Sequence, residues 1–497
     1  MADRAERSYR LEPLDASGVF LGLGAVQCAL VGGGLALAVT AISAGAPLPV
    51  AAIPALAATA LCFARAGGHP LWAWLPLSLH WVATRLRGAR RWSPPLPLWT
   101  CATEPSAPLP PCLDGLEIVG VPWRTGSELG AFHDRRRRTL TAVVPVRGPQ
   151  FVVEPRPEQE RLLAGWGDVL AQFAVERGAV AAMSWSDLAR PSGLGEHTAW
   201  VATQPGGDPD PGAADSYAEL LDLATSTAIA HDTVVTITVA RDRLGRRRHG
   251  DDPLGRAAVT AVEALLRGLR SAGLTAGDPC TPAGLQRLLR ERIDLARPAR
   301  SADAPRCSGR LADRLALVSR ATAGPLSMET AWRHVRIDGT YARTWWVGTW
   351  PRLAQPPAWL EPFLSGGGLN RTMTVHLQPE PAHQSRRRIE RDLVRLESDA
   401  TTKEDKGRRV DARHRRATQA LLDREDELVA GYCEIAYCGL VTVTAPTLDE
   451  LEEHGEIVEQ LAREAGMDLR LLDARQDAAW AAALPVGLGP STVLATP

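Results

Sequence analysis

The chain has 497 residues, a formal net charge of -1, 45% hydrophobic and 23% charged residues, a composition that excludes wholesale disorder and is too long for one compact core. A balance this close to neutral argues against a surface built throughout to coat nucleic acid, because phosphate binding relies on accumulated Lys and Arg. Eight scattered cysteines, with no CxxC pair and no His at zinc-finger spacing, read as structural thiols in a reducing compartment.

Gly18 to Ile42 carries no charged residue, and its length predicts a helix able to cross a hydrocarbon layer about 30 Å thick. Gly32, Gly33 and Gly34 predict a close contact with a second helix. Ala46 to Ala64 predicts that second span, with Pro47 and Pro49 in its first turn and a kink at Pro54. Arginines flank the pair at both ends (Arg4, Arg7, Arg10; Arg65, Arg85, Arg87, Arg90, Arg91) and are absent from the loop between, so both termini are expected in the cytoplasm. Pro70 to Arg87 places Trp72, Trp74 and Trp81 among leucines ahead of Arg85, Arg87, Arg90 and Arg91, the pattern of a helix at the membrane interface.

Seven prolines in Ser93 to Pro111 mark a stiff linker. Beyond it, Leu116 to Trp123 alternates like a strand, and Leu129 to Phe132 with Thr139 to Val146 predicts a hairpin around the basic turn His133 to Arg138. Glu158 to Val175 has helical spacing and Val180 to Trp185 strand character, while Glu196 to Val201 is ambiguous. Tyr217 to about Ala230 predicts a helix, Thr233 to Val239 a strand, and Gly255 to Ala272 and Pro282 to Leu295 two further helices.

In the last third, Trp332 to Trp350 and Thr372 to Leu377 read as strands. Gln384 to Glu397 and Val410 to Leu428 are charged helices with thin apolar stripes, a hairpin expected to project into solvent or onto a partner. Cys433 to Ala445 predicts a strand, Thr447 to Ala465 a helix capped by Thr447 with Glu450, and Asp468 to Leu472 a final strand. No repeat of fixed period is visible.

The expected fold is therefore a membrane-anchored α/β (α+β) protein. Residues 1–92 hold the tail, the transmembrane hairpin (18–42, 46–64) and the interfacial helix (70–87). The linker is 93–115, and a two-part cytoplasmic α/β body follows as 116–360 and 361–497, the latter carrying the helical hairpin 384–428.

The chemistry-bearing motifs are mostly missing. A P-loop needs a Gly-rich turn ending in Lys and then Ser or Thr, yet Lys403 and Lys406, the only lysines, lie without a preceding Gly. There is no GxSxG elbow, HExxH helix or EF-hand loop. His231-Asp232 falls at a predicted helix end, where such pairs commonly cap or solvate. No cofactor or metal is expected. The candidate interaction residues are Arg386, Arg387, Arg388, Arg415 and Arg416, although interleaved Glu390, Asp392 and Glu397 give each the look of a solvated charge.

On these features the layout resembles the integral membrane proteins of actinobacterial conjugative and integrative elements associated with type IV-like secretion. The resemblance is carried by Tyr9-Arg10-Leu11, Leu21 to Gly24, the Trp- and Arg-rich stretch after residue 64, the Leu129 to Val146 hairpin, the Ser216-Tyr217 helix running to His231, the charged hairpin before Gly431-Tyr432, and Ala481-Ala482-Ala483-Leu484-Pro485. It implies a membrane hairpin fused to a domain like the membrane-proximal, non-catalytic part of the secretion ATPases, without the motor. Such a protein would be a scaffold or docking subunit at the cytoplasmic membrane. Its implied partners are the lipid bilayer, other subunits of the machine including a separate ATPase, and further copies of itself; nucleic-acid contact is not indicated. Two other readings stand beside it: a membrane component of a type VII secretion system, and a membrane-anchored enzyme.

Overall fold

The computed structural model describes residues 25–490 apart from 67–68, 89, 95–108, 125, 149–150, 176–177, 192–193, 204–210, 226–227, 245–251, 294–323, 352–354, 406–411 and 431–432. Contacts divide the chain into two units, one within 11–91 and one within 92–493.

The smaller unit holds α1 (Ala25–Ser43), α2 (Leu48–Phe63) and α3 (Leu71–Leu86). Helices α1 and α2 pack closely at one of the three glycines: a Cβ on Gly34 would lie 2.5 Å from Ala58 Cβ, whereas Gly32 and Gly33 face open space. The uncharged run at 46–64 does not become helix throughout. Pro47 caps α2 in an extended conformation and Ala64 is extended again (ψ 138). This leaves 16 residues, about 24 Å of helix against the roughly 30 Å a hydrocarbon core requires. Among the described residues no helix is long and apolar enough to cross a membrane. That finding overturns the transmembrane spans 18–42 and 46–64, the membrane-anchored fold class and the multi-pass location in the cytoplasmic membrane. Residues 18–24 lie outside the described residues.

The larger unit is built on one large antiparallel sheet, so the body expected as two parts meeting at residue 360 has a single sheet running through it. Its first half contains β1 (Leu116–Pro122), β2 (Glu128–Asp134), β3 (Thr139–Arg147), α4 (Arg156–Ala171), β4 (Val180–Pro191), α5 (Gly195–Thr203), α6 (Pro211–Thr225), β5 (Ile229–Ala240), α7 (Pro253–Ser271), β6 (Thr275–Ala276) and α8 (Pro282–Ile293). Its second half contains β7 (Met328–Thr330), β8 (Val335–Ile337), β9 (Thr340–Thr349), α9 (Glu361–Ser365), β10 (Arg371–Pro379), α10 (Ala382–Asp405), α11 (Ala412–Val429), β11 (Ile435–Ala445), α12 (Leu448–Glu464), β12 (Asp468–Leu471) and α13 (Gln476–Ala483).

The two halves have the same order of elements. Apart from a further two-residue strand that adjoins β7, the sheet order is β7-β8-β9-β11-β10-β4-β5-β3-β2-β1, with β12 on β9 and β6 on β3, so these ten strands read identically from either end. The centre is the β4–β10 ladder, where Trp185 stands opposite Val375. Local chemistry repeats as well. Thr141 and Thr238 share a hydrogen bond at 2.9 Å between β3 and β5, and Thr344 and Thr442 share one at 2.9 Å between β9 and β11. Helix α7 ends with Gly273 (φ 82) donating to Arg270 O and Leu274 N–H to Leu269 O; α12 ends with Gly466 (φ 75) donating to Arg463 O and Met467 N–H to Ala462 O. Both are the same glycine-based helix stop. The body is thus an internal duplication about a pseudo-two-fold axis, a repeat that sequence periodicity did not reveal.

Side-chain alternation along the strands assigns two faces. One face carries Met183, Ile237, Trp345, Met373 and Val441 under α4, α7, α9 and α12. Helix α7 is begun by Asp252, which accepts from Gly255 N–H at 3.0 Å, and buries Ala258, Val262, Leu265 and Leu269 at helical spacing. The other face meets α8 and α13 through Leu285, Leu289, Trp480 and Leu484. There a row of buried hydroxyls, including Ser184, Ser186, Thr236 and Thr374, is satisfied by mutual bonds and by Ala483 O.

Candidate functional site: a charged helical arm

Strands β10 and β11 are neighbours near the middle of the sheet, and the chain between them forms α10 and α11 as one arm. Helix α10 has 24 residues, about 36 Å at 1.5 Å per residue. The root of the arm is locked. Glu380 N–H donates to Glu434 O at 2.9 Å, Arg388 donates to both Glu380 oxygens at 2.6 Å and lies 3.6 Å from Glu434, and Arg424 pairs with Glu434. Along the arm only a few described residues are buried, Ser385, Ile389, His414 and Leu428 among them, a thin seam of which Ile389 and Leu428 are the apolar members.

The five arginines proposed as an interaction set therefore divide. Arg388 holds the root, while Arg386, Arg387, Arg415 and Arg416 are exposed on the arm. Arg391 and Arg395 are exposed too, and with Arg387 they follow one face of α10. This stripe escaped the sequence reading because Glu390 and Asp392 interrupt it in the linear order.

The basic turn of the β2–β3 hairpin is largely neutralised: Arg135 pairs with Glu117, Arg136 with Asp114 and Arg137 with Asp134. Asp134 also accepts the N–H groups of Arg136 and Arg137, an Asx turn that fixes the bend. In the smaller unit Trp74 and Trp81 are half-buried on α3, Arg85, Arg87 and Arg91 are exposed, and the Arg90 guanidinium lies 4.4 Å from the Trp81 ring centroid. The side chain of Trp72 lies outside the described residues.

His231 has a carboxylate partner, but it is not Asp232. Successive strand residues face opposite sides, so Asp232 meets Arg292 at 3.1 Å behind the sheet while His231 Nδ1 meets Asp187 Oδ2 at 2.8 Å in front. The Thr233 hydroxyl donates to the other Asp187 oxygen at 2.7 Å. The Asp187 side chain is 5% exposed and that of His231 35%. Burial acts against the Asp187 carboxylate, yet the bonds from His231 and Thr233 and the charges of His231 and Arg292 hold its carboxyl below the ordinary range. The bond to Asp187 raises the His231 imidazole despite partial burial. Ser186, the neighbour of Asp187 on β4, bonds Thr374 on the opposite face. Among the described residues no group of His, Cys, Asp and Glu is placed to hold a metal ion.

No model of a known protein family matches the sequence, and no curated protein matches it.

Proposed function

We propose that this protein is a non-catalytic docking subunit of a conjugative, type IV-like secretion machine, with the α10–α11 arm as its contact element. One observation carries the reading: the arm is fastened to two central strands through Arg388, Glu380, Glu434 and Arg424, yet it leaves Arg386, Arg387, Arg415 and Arg416 exposed. These contacts fix where the arm leaves the sheet, and a seam so thin gives the arm little role in holding the core. Other subunits of the machine, a separate ATPase among them, are the partners that the family resemblance implies.

The test is charge reversal of Arg386, Arg387, Arg415 and Arg416 to Glu in the full chain. Transfer by the cognate element is expected to fall at least tenfold while the thermal midpoint stays nearly unchanged. Unchanged transfer by the folded variant sinks the proposal.

A further inference from the structure

The duplication places a second arm at a known position. Helices α5 and α6 join β4 to β5 as α10 and α11 join β10 to β11, and the two insertions are equivalent under the pseudo-two-fold. Since Arg371 stands opposite Ala189 and Leu377 opposite Met183, β10 runs toward the start of β4. The chain enters α5 at the end of β4 and α10 at the end of β10, so the arms leave opposite ends of the sheet.

One insertion is acidic throughout, and the other carries a basic stripe on one helix face. Residues 192–230 contain six Asp or Glu and no Lys or Arg, whereas residues 382–429 contain thirteen Lys or Arg against eleven Asp or Glu. On α6 the exposed carboxylates Asp215, Glu219 and Asp222 recur at i, i+4 and i+7, a stripe about 10 Å long. On α10 the exposed guanidinium groups of Arg387, Arg391 and Arg395 recur at i, i+4 and i+8, a stripe about 12 Å long. The acidic arm also carries apolar surface in the open: Trp200 is 58% exposed, Leu220 61% and Tyr217 41%. His197 holds Trp200 and Tyr217 together, stacking on the first and bonding the hydroxyl of the second at 2.5 Å. Rigid aromatics beside a stripe of one charge have the makeup of a protein contact.

We infer that copies of this chain associate head to tail, the acidic α5–α6 arm of one seating on the basic α10–α11 arm of the next. The inference rests on reading the basic arm as a contact element and assigns that arm its occupant, a second copy. Because the two surfaces differ and lie at opposite ends, the contact is heterologous and repeats into a ring or filament.

The experiment is sedimentation velocity of the full chain across protein concentration and at about 50 and 500 mM salt, a range that shortens the Debye length several-fold. Association at low salt that weakens at least tenfold at high salt is expected. Association through exposed apolar helices would instead persist or strengthen in salt and would overturn the inference. Reversal on one arm (Asp215→Arg, Glu219→Arg, Asp222→Arg) or the other (Arg387→Glu, Arg391→Glu, Arg395→Glu) should give monomers, and an equimolar mixture of the two variants should associate again. Circular dichroism melting checks that each is folded, and Glu219→Gln alone gives a milder second case. A chain that stays monomeric, or a mixture that does not recover, refutes self-association. If transfer is still lost on arginine reversal in a monomeric protein, the arm docks a different subunit, and the proposed function outlives the inference.

Discussion

His231 Nδ1 stands 2.8 Å from Asp187 Oδ2 across the β4–β5 ladder, 44 residues apart in sequence. The pair has a defined pH window. The imidazole is raised, so its stabilising charge is fully present below the ordinary histidine range and is lost as pH rises through the raised value; the carboxyl is lowered, so its share is lost only as pH falls well into the acid range. The thermal midpoint of His231→Gln should fall below that of the parent at pH 6, and the gap should narrow by pH 9. A gap independent of pH would show that the ion pair contributes nothing.

His376 responds to acid in the other direction. Burial pushes its imidazole down to about 4, although Nε2–H donates to Ala482 O at 2.9 Å. A neutral buried histidine stabilises the fold above its unfolded value and is lost as pH falls from about 6.5 toward 4, a loss of up to about 3 kcal/mol. Urea unfolding at pH 7 and pH 4.5 should show a smaller acid loss in His376→Gln than in the parent.

The paired helix stops offer a test of the duplication. A Cβ on Gly466 would meet only ordinary contacts, with Pro351 at 3.5 Å, so Gly466→Ala isolates the strain of a positive φ. About 1–2 kcal/mol should be lost. Gly273→Ala should cost at least as much, because its Cβ would also lie 3.2 Å from Leu162 Cδ2. Denaturant midpoints of the single and double variants should be nearly additive, the sites being independent.

Arg388 and Arg387 are adjacent in sequence yet differ in what they touch. Arg388→Ala leaves Glu380 without its partner and Glu434 with Arg424 alone, and should cost about 1–2 kcal/mol. Arg387→Glu on the exposed face should change stability by no more than about 0.5 kcal/mol. Equal losses in urea denaturation would mean that the exposed face is part of the packing.

Thiol chemistry checks the core. Burial raises Cys280 to about 11 and Cys438 to about 12, so the thiolate is scarce near neutrality. Alkylation of the native protein at pH 8 followed by peptide mapping should leave both unmodified, and denaturation should expose them. Rapid labelling of Cys438 would contradict its burial.

Local signals were legible where one segment carries its own geometry. Thr447 caps α12, its hydroxyl accepting from Glu450 N–H at 3.2 Å, and the alternation in Leu129 to Val146 gives the β2–β3 hairpin. Signals that depend on pairing were hidden. Neighbourhood in sequence offered His231 the wrong aspartate, because Asp187 is supplied by strand register. Glu196 to Val201 is too short for its period to separate helix from strand, and it folds as α5. Uncharged length at 46–64 overstated helix length, since Pro47 and Ala64 are extended. The duplication is carried by element order and strand pairing, and at the level of residues it leaves two threonine pairs and two glycine stops, each embedded in otherwise dissimilar residues.

Two identical subunits paired along β4 would have presented the same arm at both ends, and a surface can then meet only its own kind. Joining both halves in one polypeptide makes their pairing intramolecular and independent of concentration. It also frees the two insertions to diverge: no carboxylate placed on α6 is obliged to reappear on α10. The symmetric sheet thereby acquires polarity, with an acidic insertion at one end and a basic stripe at the other.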